Sequence, residues 1–296
     1  MKPLLVLLIF LGLAVPAFAG PSFEEAAALY DDKDYQSARD IAEPLANAGD
    51  VRAMAMMGAM YQKGSGVAVN LDTATEWYSK AAEAGHAPSQ FALAMIYLDG
   101  SLGTVDFEMG SKWLQKAAEA GSADAQFNMG LLSSGAFGNP PDWAEALRWY
   151  RMAAERGFAG AQYNLGVLYL EGNGVEKNQV EAAQWFAKAA AQGNADAALD
   201  YGVLVFRGEG VRKDEKIGAQ WLLIAAKRGN VVAQNRVARL YTFGKGVAAD
   251  PVEAMKWNIL AAKAGRPDAE LDGLLAKLPP EQKTEAEKRA AAFKPD

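Results

Sequence analysis

The feature that most constrains this chain is a repeat with a period of 36 residues. A glycine follows each repeat tryptophan at a fixed distance, and an Ala-Ala pair always lies between the two. Self-similarity at this period is typical of stacked supersecondary units, each of which contacts only its neighbours. Such arrays form extended binding surfaces. Six of the seven tryptophans occupy one phase of the repeat: Trp77, Trp113, Trp149, Trp185, Trp221 and Trp257.

Each repeat is predicted to be a pair of helices. In the first full repeat, residues 51–63 place apolar side chains on one helical face and are predicted to form helix A. The glycine-containing loop 64–67 ends that helix, because glycine adopts positive φ at no steric cost. Helix B is predicted to begin near Asn70 or Asp72, which are both good N-caps. Gly85 lies where a helix C-terminal glycine is expected.

Two sets of residues point to tight packing between these helices. One position in the middle of helix A is always small, although glycine inside a helix costs about 1 kcal/mol relative to alanine. We therefore expect the two helices to approach closely there, and we expect the tryptophan to fill the space between consecutive pairs with its N–H bonded at the edge. The small residues are Gly58, Ala94, Gly130, Gly166, Gly202 and Ala238.

The N-terminus has the pattern of a secretory signal peptide at residues 1–19. Lys2 is the positive residue, residues 4–15 form the apolar segment, and residues 17–19 give a small-x-small cleavage pattern. The apolar segment has 12 residues, fewer than the ~20 that span a bilayer. An uncleaved anchor is the alternative. The sequence predicts a periplasmic or secreted protein with no integral membrane span after cleavage.

The remaining chain divides into three predicted parts. Residues 20–50 are predicted to form an N-terminal capping helix pair, and residues 51–265 form six tandem repeats. Residues 266–296 are predicted to form C-terminal capping helices, with one helix over 268–278 and a polar one over 281–293. Polar terminal caps keep a solenoid soluble.

Composition and motifs argue against several kinds of chemistry. The chain has no cysteine and one histidine, His86, so a thiol nucleophile and a structural zinc site are not expected. No phosphate loop or nucleophile elbow occurs. The formal net charge of −6 argues against nucleic acid. We therefore predict no catalytic residue, no metal and no cofactor; His86 is interpreted as a turn residue, with pH sensing as the alternative.

The repeat resembles a known family. Residues 58–85 contain Gly-x-x-Tyr-x-x-Gly-x-Gly-Val and then Ala-x-x-Trp-Tyr-x-x-Ala-Ala-x-x-Gly, and residues 161–193 match best. This pattern resembles the Sel1-like repeat, a tetratricopeptide-like helical hairpin. The resemblance implies a right-handed α-solenoid, all-α, that acts as an adaptor or scaffold. Exported bacterial members resemble regulators of membrane sensor kinases or assembly factors for secreted polysaccharide. Some relatives described as penicillin-binding or β-lactamase-like carry cysteine pairs, which this chain lacks.

In tetratricopeptide-like units helix A lines the concave face, so the resemblance places a partner-binding groove there. An apolar groove suits an amphipathic helix or an extended peptide, whereas packing between neighbouring helices is the alternative role for the same side chains. Asn128 and Asn164 share one phase and are candidates for gripping a peptide backbone; local bonding is their alternative. The irregular loop with Phe137 and Trp143 is a second candidate contact site. The predicted concave-face residues are Phe91, Met95, Phe127, Asn128, Leu131, Tyr163, Asn164, Val167, Leu199, Phe206, Arg207, Arg239 and Phe243.

These observations leave three functions open. The first is a non-enzymatic periplasmic adaptor or regulator that binds a segment of a sensor kinase or an envelope assembly protein. The second is a scaffold for cell-envelope or exopolysaccharide machinery, in which exposed aromatics such as Trp143 contact glycan. The third is a penicillin-binding or β-lactamase-like enzyme.

Overall fold

The computed structural model describes residues 21–138 and 140–296. Within these residues all regular secondary structure is helical, in sixteen α-helices. The predicted signal peptide, residues 1–19, lies outside the described residues. The structure confirms the all-α solenoid of helical hairpins that the periodicity predicts.

Each repeat contributes a first helix, helix A, and a second helix, helix B. The first helices are α3 (Val51–Lys63), α5 (Ala87–Leu98), α7 (Ala123–Ser133), α9 (Ala159–Glu171), α11 (Ala195–Arg207) and α13 (Val231–Phe243). The second helices are α4 (Leu71–Glu83), α6 (Phe107–Glu119), α8 (Trp143–Glu155), α10 (Gln179–Ala191), α12 (Glu215–Lys227) and α14 (Pro251–Lys263).

Four further helices lie outside the repeats: α1 (Phe23–Asp31) and α2 (Tyr35–Asn47) before them, and α15 (Ala269–Leu275) and α16 (Pro280–Ala291) after them. The expected helix over 268–278 is shorter than predicted. Asp268 caps its start, but the amides of Lys277 and Leu278 bond to carbonyls only three residues back, at 3.3 and 3.1 Å. This tighter turn ends the helix before the two prolines.

The chain divides into two compact units, residues 1–106 and residues 107–296. In the described part of the first, α1 to α5 pack in sequence, with Ala26, Met57 and Met60 in its core. In the second, each helix from α6 to α14 contacts the helix that follows it. The last helix, α16, packs on α14. The second unit's core includes Phe186 and Trp257.

Helix ends follow the local sequence rules. Asn178 and Asp250 cap helices B by accepting bonds from backbone amides at 2.9–3.1 Å. Four of the six helices A end at glycines in the left-handed region, such as Gly172 with φ 84° and Gly208 with φ 78°. In the second and third repeats, Asp99 and Ser134 end helix A in the right-handed region.

The small position in helix A is explained by the ring opposite it. A Cβ on Gly58 would lie 2.7 Å from the ring of Tyr78, and a Cβ on Gly166 would lie 2.6 Å from the ring of Phe186. Carbon atoms pack comfortably at about 3.5–4.0 Å, so glycine allows the two helices of a repeat to approach. The structure thereby confirms the predicted close approach.

The tryptophan prediction is confirmed only in part. Trp257 is buried and donates its Nε1–H to Glu253 at 3.1 Å. Trp113 is also buried, but its Nε1 has no hydrogen-bond partner among the residues that the structure describes, so the expected bond at the edge is wrong there. Trp185 is only half-buried, and Lys188 lies 3.8 Å from the centre of its ring. A cation–π contact thus covers the ring that neighbouring helices leave open.

A buried glutamine links consecutive repeats, and the sequence analysis did not identify it. Gln126 is fully buried and donates its Nε2–H to the carbonyl of Ala118, at the end of the preceding helix B, at 3.0 Å. This satisfies one of the carbonyls that a helix end leaves without an intrahelical partner. The fifth repeat has Ala198 instead, and there Arg228 donates to the corresponding carbonyl of Ala190 at 3.2 Å. The other bonds of this kind run from Gln90 to Ala82, Gln162 to Ala154 and Gln234 to Ala226.

Candidate functional site

The candidate site is the face of helices A in the second unit, which we call the A face. Its side chains lie beside fully buried residues of the same helices, such as Ala125 and Leu165, but are themselves only partly covered. None of the predicted residues is sealed in the core. Half-buried members are Phe127, Asn128, Leu131, Tyr163, Asn164, Val167, Leu199, Phe206 and Arg239, and exposed members are Arg207 and Phe243.

Aromatic contacts hold part of the A face in place. The ring of Phe127 lies 4.8 Å from that of Phe158 and 6.0 Å from that of Tyr150. The ring of Tyr163 lies 5.7 Å from that of Phe186. Packing therefore fixes these rings on one side and leaves the other partly open, which lowers the entropy lost when a partner binds.

Two predicted residues, Phe91 and Met95, lie on α5 in the first unit. Both are half-buried, whereas Leu93 and Ile96 of the same helix are buried. Helix A of the second repeat therefore has half-buried apolar side chains, like the helices A of the second unit.

The two asparagines of the A face already form local bonds. Asn128 donates its Nδ2–H to the carbonyl of Asp124 at 2.8 Å, one turn earlier in the helix. Asn164 is hydrogen-bonded to the hydroxyl of Tyr150, where burial is the main influence and raises the pKa of the tyrosine. The alternative of local bonding thus describes these amides, although their remaining donors and acceptors are open to a partner.

A first cleft lies between α7, α8 and α9, and we call it the Trp143 cleft. It has a volume of about 220 Å³. Trp143 is half-buried at the start of α8, and a Cβ on Gly174 of the following loop would meet its backbone. Phe137 is 59% exposed. The residues lining this cleft are Leu131, Ser134, Trp143, Tyr150, Asn164, Val167, Leu168, Glu171 and Asn173.

A second cavity lies between α11, α12 and α13, and we call it the arginine cavity. Its volume is about 160 Å³, and apolar side chains form most of its wall. Three arginines that arise from two helices A lie around it. The residues lining it are Val203, Phe206, Arg207, Leu222, Arg236, Arg239 and Leu240.

Arg239 is fixed by acidic residues. Its Nε and Nη2 donate to the two carboxylate oxygens of Asp268 at 2.8 and 2.9 Å, and Glu270 lies 2.9 Å away. Burial acts to raise the pKa of Asp268, but hydrogen bonds from Arg239, Asn235 and the amide of Leu271 outweigh it and lower the pKa to about 2. The carboxylate is therefore ionised at neutral pH and holds the guanidinium in one orientation.

Tyr163 of α9 and Asp200 of α11 form a polar contact. The tyrosine hydroxyl is hydrogen-bonded to the Asp200 carboxylate. Burial raises the pKa of Asp200 above its ordinary value, although the hydrogen bond from Tyr163 and the charge of Arg236 oppose that rise. The sequence pattern did not predict this contact, because Tyr163 lies on α9 and Asp200 on α11, and only the fold brings the two side chains together.

His86 lies in the first unit as the residue before α5. Its ring Nδ1 lies 2.9 Å from the hydroxyl of Ser89, and burial lowers the pKa of the imidazole. This position agrees with the predicted turn role. Among the described residues there is no cluster of three or more histidine, cysteine or acidic side chains suited to a metal ion. The described helices include none long and apolar enough to cross a membrane.

Comparison with solved structures gives two informative relatives. A Sel1 repeat protein from Oxalobacter formigenes is 34% identical, with a TM-score of 0.69; the match covers 82% of this chain and 100% of that one. The protein c5321, described as a protective antigen of uropathogenic Escherichia coli strains with an SLR fold, is 27% identical with a TM-score of 0.57. That match covers 92% of this chain and 68% of that one. No curated protein matched the sequence.

The family model of the Sel1 repeat matches the chain six times in succession. The matches cover residues 51–86, 87–122, 123–158, 159–194, 195–230 and 231–265. Sel1 repeat proteins are generally protein–protein interaction modules, and the family is typically non-enzymatic. The helix pairs, their spacing and these matches agree, and the chain belongs to the Sel1 repeat family.

Proposed function

We propose that this protein is a periplasmic adaptor or regulator that binds a segment of a partner protein on its A face. The observation that carries the proposal is the row of half-buried side chains along α7, α9, α11 and α13, next to two clefts in the same face. Phe243 is 48% exposed, and a partner that covers such side chains removes apolar surface from water.

The N-terminal sequence supports the proposed periplasmic location. Lys2, the apolar residues 4–15 and the small residues at 17 and 19 favour export and cleavage. An exported adaptor would meet ectodomains of membrane proteins, so the partner classes that we propose are a sensor kinase and an envelope assembly protein. Fractionation of cells with an antibody against the chain tests the location, and a cytoplasmic pool of the uncleaved form would contradict it.

Site-specific photo-crosslinking tests the A face directly. A benzophenone amino acid is introduced at Asn128 or at Phe243, which both lie on the A face outside the arginine cavity. Matched controls carry it at Gln184 and Gln220, which are exposed on helices B. Cells are irradiated, and crosslinked products are identified by mass spectrometry.

We expect the same partner to crosslink at Asn128 and Phe243 and not at the two controls. Equal crosslinking at all four positions, or none at any, would contradict the A face as the binding surface. This design tests surface contact without truncating the packed rings of Phe127 or Tyr163, whose loss would also destabilise the repeat.

One observation supports a second candidate, the scaffold for exopolysaccharide or wall machinery. Phe137 is exposed in the segment between Ser134 and Trp143, which both line the Trp143 cleft, and it offers an aromatic ring to a sugar face. Trp143 itself is half-buried, so it presents less surface for stacking than the sequence analysis assumed. Soluble wall fragments that quench tryptophan fluorescence in the wild type, but not in Trp143→Leu, would support this function.

A further inference from the structure

The arginine cavity combines an apolar interior with positive charge. Val203, Phe206, Leu222 and Leu240 line a space of about 160 Å³. An engineered apolar cavity of ~150 Å³ binds a benzene-sized molecule, so a space of this size accepts one branched aliphatic or phenyl side chain.

The three arginines around the cavity differ in how well they are neutralised. Arg239 is paired with Asp268 and Glu270. Arg207 is exposed and has Glu209 at 3.6 Å, a loose pair at the surface. Arg236 makes no ion pair within 4 Å to any part of the chain that the structure describes, so its charge is the least compensated of the three.

Arg236 is also short of hydrogen-bond acceptors. Its Nε is buried and has no partner among the described residues. A buried N–H without an acceptor costs the free energy of removing it from water. A carboxylate beside this guanidinium offsets part of that cost through its charge.

The charges near Arg236 favour an anion. Burial is the main influence that lowers the pKa of its guanidinium, and the charges of Arg207 and Arg266 lower it further; Asp200 acts in the opposite direction. The repulsion between these guanidinium groups weakens when a negative group lies between them. Arginine also matches a carboxylate with two parallel hydrogen bonds.

We propose that the arginine cavity binds the C-terminal residue of a partner polypeptide. Its apolar side chain fills the space between Val203, Phe206 and Leu240, and its α-carboxylate accepts hydrogen bonds from Arg236 and Arg207. A chain terminus carries both groups on one Cα, and capture of a terminal carboxylate is a recurring mode of peptide recognition. The proposal rests on the proposed function, because it names the segment that the A face recognises.

Binding of fluorescein-labelled short peptides tests this assignment by fluorescence anisotropy. The probes share one sequence and end in leucine, phenylalanine or serine as the free acid, with each also made as the C-terminal amide. We expect the leucine or phenylalanine acids to bind, and both the amides and the serine acid to bind about tenfold more weakly.

Protein variants make the test specific to the cavity. Arg236→Gln removes the charge and is expected to weaken the free acid by about tenfold while leaving the already weak amide unchanged. Arg212→Gln is the matched control, because Arg212 is exposed and does not line the cavity. Val203→Phe fills the cavity while retaining every arginine, and it should weaken the leucine acid more than the serine acid. Circular dichroism melting curves show whether each variant is folded.

Several outcomes would overturn the proposal. These are equal binding of acids and amides, or binding that Arg236→Gln leaves unchanged. Two further probes are an amidated peptide with an internal glutamate and the fatty acid decanoate. Binding of either one without binding of the peptide acids would also contradict the proposal. Crosslinking at Asn128 and Phe243 distinguishes a failure of this inference from a failure of the proposed function. If it persists while peptide termini fail to bind, this inference is wrong and the proposed function stands; if crosslinking fails as well, both are wrong.

Discussion

Substituting Gly166 by alanine should destabilise the fourth repeat, even though alanine is the better helix former. Gly166 lies in the middle of α9, opposite the fully buried ring of Phe186. A Cβ at this position would lie 2.6 Å from Cε1 of that ring. Carbon atoms prefer about 3.5–4.0 Å, so either the ring or the helix must move by about 1 Å.

Two opposing terms set the magnitude. Alanine in place of glycine stabilises a helix interior by about 1 kcal/mol. Overpacking a core costs about 1–3 kcal/mol, and the upper part of that range applies because Phe186 is completely buried. The net expectation is a loss of about 1–2 kcal/mol in the free energy of unfolding.

A smaller side chain at position 186 should relieve the clash with an alanine at position 166, and the chain contains such a combination. In the second repeat the equivalent positions hold Ala94 and Leu114, so the chain already combines alanine with a side chain that has no aromatic ring. We therefore expect Gly166→Ala to become neutral, or stabilising by up to about 1 kcal/mol, in a Phe186→Leu background. The interaction energy of this double-mutant cycle should be at least about 1 kcal/mol.

Urea unfolding, followed by circular dichroism and tryptophan fluorescence, measures the four proteins of the cycle. Gly273→Ala is the control, because Gly273 lies in α15 and a Cβ there would meet nothing within 4 Å. It should be neutral or stabilising. The steric argument is refuted if Gly166→Ala stabilises the wild type, or if its cost is the same with leucine at position 186.

Three further predictions concern hydrogen bonding and pH. Gln126→Met keeps the side-chain volume but removes the donor to the Ala118 carbonyl, and should cost about 1–2 kcal/mol in urea unfolding, whereas the exposed Gln184→Met should cost nothing measurable. The pKa of Asp268 is about 2 in the folded protein and 3.8 as the ordinary value, so its contribution, roughly 2 kcal/mol, is present above pH ~4 and is lost as the pH falls toward ~2; Asp268→Asn should abolish that loss. The pKa of His86 is lowered by burial, so the unfolded state binds the proton first and stability falls as the pH drops through the ordinary histidine range near ~6.5. Melting temperatures across pH should lose that step in His86→Gln, and an unchanged step would contradict the assignment.

The periodicity predicted most of the fold because identical packing requires identical residues. Each repeat packs on a similar repeat, so residues such as the Ala-Ala pair of helix B recur at equivalent positions. Helix α3 ends at Lys63 as predicted, since Gly64 follows it in the left-handed region with φ 74°. Gly202 remains glycine opposite Leu222 because the backbone amide of that leucine is only 3.0 Å from where a Cβ would lie.

What the sequence did not predict depends on side chains that meet across repeats. The glutamine donors were missed because a recurrent glutamine in an amphipathic pattern has no distinctive signal until its carbonyl acceptor is located. Arg236 was missed for a related reason. Its neighbours Arg207 and Arg239 were predicted to lie on the concave face, but the lack of an acceptor for the Nε of Arg236 becomes visible only when α11, α12 and α13 are assembled.

The repeat also indicates where specificity is encoded. The Ala-Ala pair of helix B is the same in all six repeats, but one half-buried phase of helix A differs from repeat to repeat: it carries Asn128, Asn164, Asp200 and Arg236 in four successive repeats. A series of amide, amide, carboxylate and guanidinium groups instead offers a partner a different chemistry at each step along the A face. An extended segment that ends at Arg236 would contact these groups in order, so exchanging Asn164 and Arg236 should change which peptide binds, and circular dichroism should show that the variant remains folded.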